Sequence, residues 1–281
     1  MNKFLAGLLL LLAFSLPASG QTPAAGSLSI PISLSGLLGG LLGTITGQLN
    51  VSFESVDGLT SSHLGAATQL ISLLDTLLSG RVSAALSLLS GFPVLARIEP
   101  TPAGGLAFTG VTTVEMVTAS IPLLSGSPRL FTAPVGGGTF QDITTALVSS
   151  GSGANRNYRV QGTSGGFSEF IVVLDTTPVD TVIGSKMDRL DSILTANSGA
   201  MPTGVQSDLA AQLATVRSHS AAGSETTALS DLDTFIASVR SHAGTDIPNL
   251  WRSARDVTNV AGQLIAAAQT LQFSLHQRQG S

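Results

Sequence analysis

The sequence predicts an α+β fold: an N-terminal antiparallel β-sandwich-like domain with a short helical insertion, then a separate C-terminal antiparallel bundle of about four helices. Two observations carry this prediction. Before residue 176, apolar and polar residues alternate in several short segments, as on strands that bury one face. After Pro178, apolar residues recur at a spacing of three or four, as on amphipathic helices.

Residues 1–20 are typical of a secretory signal peptide. Lys3 precedes an apolar run from Phe4 to Leu16, and Ala18 and Gly20 fit the small residues that a signal peptidase requires. The alternative, an uncleaved membrane anchor, is less favoured because the run is shorter than the roughly 20 residues of a spanning helix. We therefore expect an exported protein, whether secreted, periplasmic or at the cell surface. With no cysteine in the sequence, its folding cannot depend on disulfides.

Residues 21–43 are apolar and glycine-rich, and we predict a linker there. Alternating apolar residues from Leu28 to Leu34 favour an edge strand within it, where Pro31 is tolerated. The alternative is that the Leu/Gly-rich segment from Leu34 to Ile45 contacts a membrane or a partner, since no charge occurs before Glu54 in this part of the mature chain.

The β domain is predicted over residues 44–175. Its strand-like segments are TITGQLNVSFESV, FPVLARIEP, LAFTGVTTVEMVTA, RLFTAP, NYRVQG and FSEFIVVLD. Several short strands separated by glycine-rich turns predict an antiparallel sandwich. The continuous apolar run that ends the last segment predicts a central strand buried on both faces. Helical spacing of leucines between Ser61 and Gly91 predicts the short helical insertion, with Leu70, Leu74, Leu77 and Leu78 on one side.

The helical bundle is predicted over residues 179–275, followed by a tail at 276–281. Short breaks at 197–204, 222–224 and 244–248 would join antiparallel neighbours. The four apolar stripes are Val179, Val182, Ile183, Met187, Leu190 and Leu194; Leu209, Leu213 and Val216; Leu229, Leu232, Ile236 and Val239; and Val257, Val260, Leu264, Ala268 and Leu271.

The third helical segment, TALSDLDTFIASVRSHAGTDIP, and the later AGQLIAAAQTL together resemble the FIMAH domain over about Lys186 to Leu275. The resemblance implies a small, non-catalytic helical module of exported bacterial proteins. The join FSEFIVVLDTTPVDTVIGSKMDRLDSIL, with RLFTAP and YRVQGTSGG before it, resembles an uncharacterised family of exported bacterial proteins that pairs a β domain with such a module.

The charge pattern argues against nucleic-acid binding. Lys and Arg number 13 against 17 Asp and Glu, a net charge of −4, so no basic field is available for a polyanion. No HExxH or cysteine-based motif accompanies the four histidines, and the sequence predicts no metal site and no cofactor. His219 and His242 are expected near helix C-termini instead, where the helix dipole favours their charged form.

Catalytic patterns are weak. GTSGG at 162–166 matches the nucleophile-elbow string with Ser164 in the nucleophile position, but it lies between two strand-like segments, which favours a glycine-rich hairpin turn. Carboxylates for glycosidic cleavage could come from Glu99, Glu115, Asp142 and Glu169, although such residues on a sandwich surface are usually solvated. We therefore predict no catalytic residues and a non-enzymatic protein.

The best candidates for partner contact are Trp251, Arg252 and Arg255, because Trp and Arg dominate binding hot spots. The structural alternative is that Trp251 packs over the helical core and that Arg252 pairs with Asp256. The sequence thus predicts a binding, adhesion or scaffold protein for an unknown extracellular protein or polysaccharide. Membrane-surface binding and, less favoured, a hydrolase accessory or an enzyme with a dispersed carboxylate site are the alternatives.

Overall fold

The structure, a computed structural model, describes residues 25–38, 41–72, 75, 78–89, 91–119, 121, 126–152 and 155–280. The predicted signal peptide lies outside these residues, as do Leu74 and Leu77 of the predicted helical insertion.

Two antiparallel sheets form the N-terminal part of the protein. Their strands in chain order are β1 (Ser27–Leu38), β2 (Leu41–Asp57), β3 (Ala66–Leu70), β4 (Leu86–Leu88), β5 (Val94–Ile98), β6 (Ala107–Thr118), β7 (Ser127–Ala133), β8 (Gln141–Asp142), β9 (Thr144–Ser152), β10 (Asn155–Ser164), β11 (Glu169–Asp175) and β12 (Trp251–Arg252).

The first sheet has the order β1-β2-β6-β10-β9, and β12 pairs with the start of β6. The second has the order β3-β5-β11-β7-β8, and β4 pairs with the end of β11. Apolar side chains of both sheets, such as Leu49 and Val114 from the first and Phe170 from the second, meet in one buried core. The predicted α+β class with an antiparallel β-sandwich is confirmed.

Strand β11 is central and buried on both faces, as its continuous apolar run predicts. Phe170 and Val172 belong to the core between the sheets, whereas Ile171 and Val173 belong to a second cluster on the opposite face. Strand β1 is an edge strand that pairs only with β2 among the described strands, and it occupies residues 27–38 of the range predicted as a linker.

The helical insertion is much shorter than predicted. Among the described residues of 61–91, helix α1 covers only Ser61–Leu64, and the chain then forms β3 and β4. Leu70 lies in β3, where its side chain packs partly buried against the sandwich core. At Leu70 the leucine spacing misled because the pairing of β3 with β5 decides the backbone conformation there.

The C-terminal part contains α2 (Val179–Ala196), α3 (Thr203–Ala221), α4 (Glu225–His242) and α5 (Val260–Gln279). Residues from all four predicted stripes form one buried core, as in a helical bundle. Short 3-10 turns occur at Pro102–Gly104 and Ser198–Ala200.

Helix α5 is buried on most of its circumference because it packs against α2 and α4 and against strands β6, β9 and β10. Gly262 permits this approach: a Cβ there would lie 2.3 Å from the carbonyl oxygen of Gly110 in β6. The side chain of Asn259 caps α5 by accepting the N–H of Gly262 and donates to the same Gly110 oxygen at 2.7 Å. The bundle is therefore joined to the first sheet through the start of α5.

A buried ion pair joins the bundle to the second sheet. The ammonium of Lys186 in α2 lies 2.7 Å from a carboxylate oxygen of Asp142 in β8, and both side chains are less than a tenth exposed. Lys186 also donates to the carbonyl of Thr270 and the hydroxyl of Ser274, both in α5. Burial lowers the pKa of Lys186, and attraction to Asp142 opposes that shift.

Candidate binding cleft

A cleft of about 720 Å³ lies between the sandwich and the helical bundle. Four parts of the chain line it: the loop between β7 and β8, the connection from β10 to β11, one side of α2, and the segment from β12 to the start of α5. This volume is within the range of typical ligand sites, and a junction between two packed units is a common location for one.

Trp251 lies in the wall of the cleft and is held by aromatic packing. Strand β12 places it opposite Phe108, and the two rings stack at a centroid distance of 5.2 Å. Phe167 meets the indole edge-on at 5.0 Å. Trp251 therefore packs on the sandwich core, and the predicted alternative of packing over the helical core is wrong in that detail.

The two arginines near Trp251 differ in position. Arg255 lines the cleft, adopts a positive φ of 56°, and has its nearest acidic group, Glu99, at 3.8 Å. Arg252 is not among the residues that line the cleft, and it pairs with Asp256 at 2.6 Å as the alternative predicted. The structure thus brings Trp251 and Arg255 together in one cleft and places Arg252 outside it.

Arg189 is a cleft residue that the sequence analysis missed. It lies on α2 between this cleft and a smaller cavity of about 270 Å³, and it lines both. Its Nη1 atom is buried without a hydrogen-bond partner in the part of the chain that the structure describes. Burial lowers the pKa of Arg189, and the nearby Asp142 opposes this shift. The available signal was its spacing of three from Lys186, which places both cations on one side of α2.

Ser164 also reaches the cleft, at the end of β10. Its hydroxyl accepts the N–H of Gly166 at 3.2 Å. Residues 165–168 carry the chain from β10 in the first sheet to β11 in the second, so this glycine-rich stretch is a connection between sheets and the predicted hairpin turn is wrong. A Cβ on Gly165 would lie 2.5 Å from the backbone nitrogen of Gln263, so this glycine lets the connection touch α5.

The four candidate carboxylates lie apart, each with its own partners. Glu115 on the first sheet accepts hydrogen bonds from Asn50, Arg159 and Gln161. These hydrogen bonds lower the pKa of Glu115 although burial alone would raise it.

Glu169, on the second sheet, is fully buried between Arg97 at 2.6 Å and Arg81 at 2.8 Å. Asp142 is held by Lys186 and accepts the N–H and hydroxyl of Thr144. Glu99 is exposed beside Arg255. Three of the four candidates are therefore buried in ion pairs, which differs from the solvated state expected for them.

Two histidines of the bundle, His219 and His242, each lie beside a carboxylate. His219 lies 2.6 Å from Asp231, and His242 lies 2.6 Å from Asp246, just after α4 ends. Both lie in the last turns of their helices, as predicted. No group of three potential metal ligands occurs among the described residues.

The segment from Leu34 to Ile45 begins and ends in the sandwich. Leu34 pairs with Ile45 in the β1–β2 ladder, and both side chains pack with the core, Ile45 at 4% exposure. Gly39 and Gly40 lie outside the described residues. Within the described part of the chain, no helix combines the length and apolar character needed to cross a membrane.

The chain was compared with known proteins. One family model, described as Family of unknown function (DUF6689), matches residues 9–279. No curated protein and no solved structure shows significant similarity to the chain.

Proposed function

Because the chain belongs to this family of unknown function, we propose its role from its own geometry: an exported, non-catalytic binding protein whose extracellular ligand occupies the cleft between sandwich and bundle. The observation that carries the proposal is the lining of the cleft. Trp251, Arg255 and Arg189 come from different parts of the chain and reach one cavity of ligand size.

The residues that line the cleft combine aromatic rings with several hydrogen-bonding groups, which suits the recognition of a ligand. Trp251 supplies a ring fixed by Phe108 and Phe167, so little side-chain freedom is lost on binding. Hydroxyl and amide groups line the same cleft, including those of Thr132, Thr139, Gln141, Ser168, Thr258 and Gln263. An aromatic ring beside many hydrogen-bonding groups fits a polyhydroxylated ligand, and we propose a polysaccharide segment over a protein surface.

A non-catalytic role is supported by how the candidate catalytic groups are used. Glu169 of β11 forms buried ion pairs with Arg97 of β5 and with Arg81, all within the part of the chain that forms the second sheet, and Asp142 joins that sheet to the bundle through Lys186. The Ser164 hydroxyl is engaged with the N–H of Gly166. Each of these groups therefore has a structural role in the fold.

Export is proposed from the signal-peptide pattern of residues 1–20, and the helical bundle is proposed to be a FIMAH-like module of a bacterial surface or secreted protein. The N-terminus of protein recovered from the periplasm or culture medium should be Gln21. Recovery of chain that still begins at Met1 would contradict cleavage.

Binding can be followed without a label because Trp251 is the only tryptophan of the chain. The mature chain is applied to an array of cell-wall and extracellular-matrix oligosaccharides, and each hit is titrated by tryptophan fluorescence. A hit that changes the fluorescence of Trp251 supports the proposal if Arg255→Ala weakens it and the neighbouring control Arg252→Ala does not. Equal effects of both variants, or turnover of a probe that Ser164→Ala abolishes, would reject it.

A further inference from the structure

Resting on the proposed function, we propose that the cleft recognises the carboxylate of an acidic saccharide, and that the guanidinium of Arg189 is the group that binds it. The juxtaposition behind this inference is an arginine in the wall of a ligand-sized cleft whose guanidinium has a buried Nη1 atom without a hydrogen-bond partner among the described residues.

The charge of the cleft favours an anion. Its described lining residues include two arginines, Arg189 and Arg255, and no Asp or Glu. The chain as a whole carries a net charge of −4, so this local excess of positive charge runs against the composition. An oxyanion entering the cleft would meet positive charge from α2 on one side and from the segment before α5 on the other.

Arg189 differs from the other buried cations of this region. Lys186 is saturated by Asp142, Thr270 and Ser274. The buried Nη1 atom of Arg189 has no hydrogen-bond partner among the described residues, and the nearby Asp142 is already engaged by Lys186. A buried guanidinium nitrogen without an acceptor is costly, and a carboxylate can bind a guanidinium through two parallel charge-assisted hydrogen bonds.

The start of α5, which also borders the cleft, is not the anion-binding element. The N–H groups of its first residues already have acceptors within the chain. That of Ala261 donates to Pro248, and those of Gly262 and Gln263 donate to the side chain and carbonyl of Asn259. The guanidinium groups of Arg189 and Arg255 are therefore the charged donors that the described lining offers to a ligand.

A saccharide is favoured over an acidic peptide by the remaining lining. The hydroxyl and amide groups and the ring of Trp251 described above provide hydrogen bonds and one apolar surface, which suits a sugar ring. Uronic acids carry a carboxylate directly on such a ring, so one residue would engage Trp251 and Arg189 together.

The test compares trigalacturonate with its uncharged methyl ester, titrated against the mature chain by fluorescence of Trp251. The wild type should bind the acid about 10- to 100-fold more tightly than the ester, the usual effect of one charged hydrogen-bonding group. Arg189→Met should remove that difference, whereas Arg252→Met, which deletes an equal charge outside the cleft, should retain it.

Stability supplies a second readout. Arg189→Met should melt at a temperature close to that of the wild type, because it removes a guanidinium whose buried Nη1 atom has no hydrogen-bond partner among the described residues. The acid should raise the melting temperature of the wild type and leave that of the variant unchanged. If Arg189→Met does not fold, Arg189→Lys, which keeps the charge without the planar fork, should show a reduced preference for the acid.

Several results overturn the inference. Equal binding of acid and ester by the wild type rejects anion recognition while leaving the proposed binding function intact. An undiminished preference for the acid in Arg189→Met rejects Arg189 as the receptor. Tighter binding of a poly-glutamate peptide than of trigalacturonate rejects the saccharide. If neither trigalacturonate nor its methyl ester binds, the inference is rejected, and the oligosaccharide array then decides the proposed function separately.

Discussion

Replacing Gly262 by alanine tests the close contact between α5 and the sandwich, and Gly184→Ala is its matched control. Both glycines lie in helices, and alanine there is intrinsically more favourable by up to about 1 kcal/mol. Around Gly184 a new Cβ meets nothing within 4 Å, so this variant should gain most of that energy.

At Gly262 the same Cβ would lie 2.3 Å from the Gly110 carbonyl oxygen and 2.3 Å from the amide nitrogen of Asn259, where ordinary contacts begin at 3.4 Å. Relief requires α5 to move by about 1 Å from β6 or Asn259 to give up its bond to Gly110. Overpacking of this kind costs about 1–3 kcal/mol. A buried group left unsatisfied costs about 1–3 kcal/mol more. After the helix-propensity gain of up to about 1 kcal/mol is subtracted, the net effect should be destabilisation by about 1–5 kcal/mol.

The assay is urea unfolding of each purified chain, followed by circular dichroism and by the fluorescence of Trp251. Gly262→Ala should lower the unfolding midpoint, and Gly184→Ala should raise it. Because Trp251 packs on the sandwich while most of the helical signal comes from the bundle, separate transitions in Gly262→Ala would show that the two parts have come apart. If Gly262→Ala gains as much stability as Gly184→Ala, the close contact is refuted.

Two further predictions concern buried ionic groups. Lys186→Met should destabilise the protein by about 3–5 kcal/mol because it leaves Asp142 buried without the Lys186 ammonium. The double variant Lys186→Met, Asp142→Leu should recover part of that loss. If the double variant is less stable than Lys186→Met in urea unfolding, the ion pair does not contribute as proposed. Hydrogen bonds from Arg159, Asn50 and Gln161 hold the pKa of Glu115 below its usual value of 4.5 despite burial, so its contribution to stability is present above about pH 4.5 and is lost as the pH falls through its lower folded value. In Glu115→Gln the free energy of unfolding, measured by urea unfolding at several pH values, should fall less steeply at acidic pH than in the wild type. An unchanged slope would show that Glu115 does not contribute to this pH dependence.

The sandwich was predictable because its strands bury side chains in a pattern that the sequence displays directly. The run Phe170 to Val173 is continuously apolar, and the structure buries it on both faces. The segment around Leu70 was misassigned because a leucine spacing suited to a helix also occurs in short strands, and pairing with β5 decides between them. Local periodicity cannot report such long-range pairing.

Buried charge was harder to predict than buried apolar surface. Glu169 and Asp142 were expected to be solvated, yet cations from distant segments surround each of them. Arg81 and Glu169 are far apart in sequence, and no local sequence pattern predicts their contact. A single sequence shows the charges but not the tertiary packing that pairs them.

Only part of the cleft could be predicted from the sequence, for the same reason. Trp251 and Arg255 stand out by residue type alone, so composition was enough to select them. Arg189 does not, because a cation beside a helical stripe is usually solvated, and its place in the cleft wall depends on the tertiary fold. Of three neighbouring candidates, two line the cleft, and Arg252 lies outside it and pairs with Asp256. The binding hypothesis thus rests on residue types that the sequence shows and on the position of Arg189, whose buried Nη1 atom has no hydrogen-bond partner among the described residues.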